Sequence, residues 1–87
     1  MDIYEISESF NSLSNINKKY LTQRLKFLKD DCIWIEFVDE LLDIFDQDLS
    51  KKDFDHSINT IISSYSIDYF YDILSILRKY LKQNLKH

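Results

Sequence analysis

The chain contains no glycine and no proline in 87 residues. Every position therefore carries a Cβ, and backbone turns that need a positive φ are costly wherever they are tried. The two-residue hairpin turns of a β-meander depend on such positions. A β-rich fold is disfavoured on that ground, and Gly-rich phosphate loops, collagen-like repeats and flexible linkers are excluded. The chain must turn with Ser, Asn and Asp, which are also the residues that cap helices.

Hydrophobic spacing divides the sequence into five amphipathic segments. Asp2 to about Leu13 places Ile3, Ile6, Phe10 and Leu13 on one side, and Ser12, Ser14 and Asn15 break it. About Asn17 to Lys29 turns Tyr20, Leu21, Leu25 and Leu28 inward. Asp30-Asp31 then sets negative charge before a third segment, Cys32 to Asp46, where it suits a helix N-terminus. Ser50-Lys51-Lys52-Asp53 reads as an N-cap with an acid three residues on, a variant of the capping box. The fourth segment carries Phe54, Ile58, Ile61, Ile62 and Tyr65 and is closed by Ser63, Ser64 and Ser66. The fifth begins at Ser66, buries Phe70, Ile73, Leu74, Leu77, Tyr80 and Leu81, and ends among Lys79, Lys82 and Lys86, which complement the helix dipole. Helices this short do not hold alone in water. The expected fold is all-α: one domain over residues 1–87, a small antiparallel bundle of four to five helices with short connections.

A single cysteine, Cys32, leaves no intramolecular disulfide to form and suits a reducing cytosol. Met1-Asp2-Ile3-Tyr4-Glu5 is unlike a signal peptide, and no apolar run approaches the roughly 20 residues of a membrane span. The expected location is cytoplasmic, without membrane contact.

Charge is distributed unevenly along the chain. Asp30 to Asp55 holds ten acids against two lysines, whereas Ile16 to Lys29 holds five basic residues and no acid, and Ile76 to His87 four and none. These blocks either neutralise one another within the fold or serve a partner. The strongest local pattern is in the third segment, CIWIEFVDELLDIFD. At helical spacing Trp34, Phe37, Val38, Leu41, Leu42, Ile44 and Phe45 share one face, and Glu36, Asp39, Glu40, Asp43 and Asp46 share the other. Like charges four residues apart cost a few tenths of a kcal/mol per pair, roughly, and no Lys or Arg interrupts this ridge. Either the apolar face outweighs the cost, or a basic partner meets the ridge.

Catalytic patterns are weak. The carboxylates lie on a polar helix face, not in a closed site that would separate their pKa values. No Glu-x-x-His pair is present for a di-iron centre, and a calcium loop lacks its central Gly. His56 stands near the start of the fourth segment, His87 is the last residue of the sequence, and Cys32 reads as a small core or edge residue. No catalytic residue, metal ligand, cofactor or small-molecule substrate is expected. Lys18, Lys19, Arg24, Lys26 and Lys29, with Tyr20 and Phe27, would suit nucleic acid, but the acidic middle of the chain repels phosphate. Among six tyrosines, Tyr69 and Tyr71 fall off the core-facing side, and an exposed Tyr pair beside acids suits a protein interface.

The run Trp34 to Leu42, then Leu49-Ser50-Lys51-Lys52-Asp53-Phe54, then Ile58 to Ile67 followed by Asp68, resembles the small all-helical immunity proteins of bacterial polymorphic toxin systems, of the Maf-type and contact-dependent growth inhibition kinds. The likeness is one of residue classes over a little more than half the chain. It implies a cytosolic, noncatalytic protein that binds and blocks a cognate toxin domain. Many such toxins are basic nucleases, for which an acidic ridge is the complement. The expected partner-binding residues are Glu36, Asp39, Glu40, Asp43, Asp46, Tyr69 and Tyr71. The alternative is a phage- or plasmid-encoded inhibitor or regulator that mimics nucleic-acid charge or dimerises.

Overall fold

In the computed structural model, which describes residues 2–85, the chain forms α1 (Ile3–Asn11), α2 (Asn15–Lys26), α3 (Cys32–Asp46), α4 (Lys51–Ser64) and α5 (Ile67–Leu85). The expected features at Lys86 and His87 lie outside the described residues. The fold is an all-α antiparallel bundle, with no strand among the described residues. None of its helices is long and apolar enough to cross a membrane.

The helices start on side chains that replace the missing fourth-residue carbonyls. Asp2 accepts from the Glu5 amide at 2.9 Å, Ser14 from Asn17 at 3.2 Å, Asp31 from Ile33 at 2.9 Å, Ser50 from Asp53 at 3.3 Å and Ser66 from Asp68 at 3.2 Å. Their ends show the consequence of having no glycine. No described residue has a positive φ, so the left-handed C-terminal cap is absent throughout that range. Ser12 and Phe27 close α1 and α2 with φ of −79° and −89°, while Gln47 and Tyr65 leave α3 and α4 through extended backbone. At the end of α3 a neighbour intervenes: the Asn11 side-chain amide donates to the Phe45 carbonyl at 2.7 Å.

Helix α3 is the centre of the molecule and packs against each of the other four helices, while α5 also closes on α1 and α4. All seven apolar residues assigned to its inner face are buried, and Trp34, Phe37, Val38 and Leu41 have no exposed surface. They meet Ile6 and Phe10 from α1, Leu21 and Leu25 from α2, Phe54, Ile58 and Ile61 from α4, and Ile73, Leu74, Leu77 and Leu81 from α5. The Trp34 indole N–H donates to the Leu25 carbonyl at 2.7 Å, which satisfies a polar group in the core and ties α3 to the last turn of α2.

Four sequence expectations change in three dimensions. Tyr20 and Leu28 were expected inward, yet both are half exposed. Helix α2 begins at Asn15 and its last helical residue is Lys26, so Leu28 has left the helical register that would have aligned it with Leu21 and Leu25. Cys32 is exposed, because it occupies the first helical position after the Asp31 cap. Tyr69 is not a free surface residue. Its ring packs edge-on against Trp34, with centroids 5.4 Å apart, and its hydroxyl donates to Asp31.

Tyr69 also completes a clamp on the α2–α3 connection. Lys29 lies 4.9 Å from the Trp34 ring centre and 5.0 Å from that of Tyr69, and its ammonium reaches Asp72 at 2.6 Å. The Tyr69 hydroxyl holds the Asp31 carboxyl below the usual carboxylate range; burial opposes this, while the Ile33 and Trp34 amides and the Lys29 charge assist. The same bond, then burial, pushes the Tyr69 phenol up. The signs fix a test. Asp31, with its depressed pKa, contributes stability above about pH 4 that is lost as pH falls through the depressed value. Tyr69, with its raised pKa, contributes stability below about pH 10 that is lost as pH rises through the raised value. Urea unfolding of the protein and of Tyr69→Phe is expected to show a stability gap that is widest between those limits and closes at both. A gap constant across the acid limb would mean that Asp31 gains nothing from the phenol.

Candidate functional site

Helical period and apolar content force the outer face of α3 into solvent. With seven inner-face residues committed to the core, Glu36, Asp39, Glu40, Asp43 and Asp46 can only point away from it, and all five are exposed. The ridge expected from the sequence is therefore present as one continuous surface.

Its two flanks differ. On the α2 side, Asp39, Asp43 and Asp46 border a groove that also contains Lys18, Lys19 and Lys26. Lys26 closes on Asp39, with Nζ 2.6 Å from Oδ1 and both side chains partly exposed. Such a surface pair contributes at most about 1 kcal/mol. The internal neutralisation weighed at the sequence level is thus real at Asp39. On the α4 side, Glu40 and Asp43 share a recess with His56, Ser57 and Thr60. Burial, followed by a hydrogen bond to Glu40 and the charges of Glu40 and Glu36, pushes the Tyr65 phenol up, so Tyr65 stays neutral and donates to the ridge. Asp43 accepts from the Gln47 side chain at 3.2 Å. The carboxylates at the α4 edge are thus held by neutral donors that leave their charge in place, a setting that accepts a cation from outside.

The two tyrosines assigned with the ridge differ in their surroundings. Tyr71 is 61% exposed, as expected, whereas Tyr69 is committed to the Trp34–Lys29–Asp31 clamp. The basic residues of α2 and of the α2–α3 connection are dispersed too. Lys26 and Lys29 are engaged by Asp39 and Asp72, and Lys18 lies over the Phe10 ring at 5.8 Å. Phosphate binding would have to compete with those contacts.

His56 is exposed beside the ridge, and among the described residues no three His, Cys, Asp or Glu side chains converge as a metal site. Sequence reasoning missed Tyr65 as a ridge partner, because it was placed with the inward residues of the fourth segment. Its position as the C-cap of α4 lets a half-buried ring present its hydroxyl to α3. No protein family, curated protein or solved structure matches the chain.

Proposed function

We propose that this chain is a noncatalytic binding protein that docks a basic protein surface on the outer face of α3: an immunity protein that neutralises a cognate bacterial toxin domain, a basic nuclease. The observation that carries this reading is the exposure of five carboxylates along one helix, of which Asp39 alone has a lysine closed upon it among the described residues. A helix under selection for solubility alone gains by mixing charge signs, since like charges in adjacent turns repel. The recess beside Glu40 and Asp43 adds shape to the charge, with room for a Lys or Arg side chain between α3 and α4.

The test is to sequence the genes flanking the one for this chain and to co-express the chain with any toxin domain that they encode. Growth should be rescued, a complex should purify, and association should slow as salt rises, because the ridge is exposed and its field is screened over about 10 Å at 0.1 M. A purified neighbouring toxin that neither binds nor loses activity would refute the reading. The protein alone is expected to show no nuclease, hydrolase or transferase turnover with or without added divalent metals. Robust turnover abolished by Asp43→Asn would overturn the noncatalytic assignment.

A further inference from the structure

A second surface, of opposite character, lies between α2 and α5. Leu21, Leu25, Leu28 and Ile76 form the floor of an apolar groove, and Arg24 from α2 and Lys79 from α5 stand at its rim. Among the described residues no carboxylate lines it. It shares no residue with the α2–α3 groove beside the acidic ridge, so α2 separates two differently charged faces. The groove continues at Arg24 and Leu28 into a shallow surface with Tyr20 and Phe27. Phe27 is 82% exposed, and Tyr20 and Leu28 about half. Arg24 is steadied by Tyr20, its guanidinium donating to the hydroxyl at 3.0 Å and lying 5.6 Å from the ring centre. That partner is neutral, and among the described residues no carboxylate pairs with Arg24.

We propose that this α2–α5 groove docks an acidic amphipathic helix of a partner protein, its apolar side chains seated on Leu28 and Ile76, over the buried Leu21 and Leu25, and its carboxylates meeting Arg24 and Lys79. The proposal is independent of the toxin reading, which uses the other side of α2. Charge complementarity selects the partner: an apolar floor with cations at the rim and no acid among its described residues favours a segment that combines bulky apolar residues with carboxylates. Size supports a side-chain anchor over a free small molecule. The groove encloses about 200 Å³, whereas small-molecule sites run to about 300–1,000 Å³. Its concavity favours a helix over a flat anionic bilayer, which would meet the protruding Phe27 and leave the floor empty. Exposed aromatic and Arg side chains at the rim are the types that dominate binding energy at interfaces.

The probes are two fluorescent peptides of about five helical turns, one built of Leu and Glu and the other of Leu and Lys, together with vesicles of phosphatidylcholine containing phosphatidylserine. The Leu/Glu peptide should bind and shift the amide resonances of Arg24, Leu28, Ile76 and Lys79. The Leu/Lys peptide should instead perturb Glu36 to Asp46 or nothing. The double variant Arg24→Glu/Lys79→Glu should weaken the Leu/Glu peptide by about tenfold or more, and Arg24→Gln/Lys79→Gln should do so to a smaller extent if the reversal disturbs folding. Unchanged affinity in both variants, absence of Leu/Glu binding, or resonance shifts confined to other helices would each overturn the proposal. So would vesicle binding that depends on Arg24 and Lys79 while neither peptide binds.

Discussion

Trp34→Ala is expected to destabilise the fold by about 3–5 kcal/mol, in the range for truncating a fully buried large aromatic. The ring has no exposed surface, and it touches more than one element at once. It packs edge-on against Tyr69 of α5, lies 6.0 Å from Phe37 one turn on, and carries the Lys29 ammonium over its face. Truncation also leaves the Leu25 carbonyl without the donor now at 2.7 Å. A domain of this size has a total stability of roughly 5–15 kcal/mol, so the variant should sit near its unfolding midpoint under mild denaturant. Urea unfolding followed by circular dichroism measures the loss. Trp34→Phe separates the contributions, since it retains most of the ring contact and gives up the indole donor. A loss below about 1 kcal/mol for Trp34→Ala would remove the ring from the core and with it the central role given to α3.

Neutralising the ridge should have the largest effect on binding. In Glu36→Gln/Glu40→Gln/Asp43→Asn/Asp46→Asn, the exposed carboxylates lose their charge while the Asp39–Lys26 contact stays. Repulsion between adjacent turns is relieved, so the isolated fold should be as stable or slightly more stable. Association with the toxin domain should slow, by about tenfold up to a thousandfold at low salt if steering dominates, and the salt dependence should flatten. Any carboxylate desolvated in the complex should also hasten dissociation, because removing one partner leaves a buried cation unpaired. Stability and binding therefore move in opposite directions for a functional ridge. Unchanged association and dissociation in stopped-flow or surface measurements would make the ridge a solvated face and nothing more. Asp39→Asn alone is the internal control: it frees Lys26 and removes the ridge charge already neutralised within the fold.

Much of this protein was determined by its sequence. The absence of glycine made positive-φ turns costly, and the described backbone contains none. The third segment repeats apolar residues at helical spacing so regularly that its limits, Cys32 and Asp46, its seven inner residues and its five outer acids all follow from periodicity. Ser50 declared its helix start because a cap is a local hydrogen bond between near neighbours in the chain. Tertiary structure decided whatever depends on which helix lies beside which. Periodicity reports that a face is apolar; it carries no information on the neighbour that covers it or on where that neighbour stops. Lys26 meeting Asp39, Tyr65 meeting Glu40 and Tyr69 turning in to Trp34 and Asp31 are contacts between residues far apart in the chain. Leu28 belongs to the Leu21–Leu25 stripe by spacing, yet it lies outside because α2 ends before reaching it and α5 covers only part of the surface there. The acidic ridge could be read from local sequence because one helix contains it, whereas the cationic groove needed two helices brought side by side.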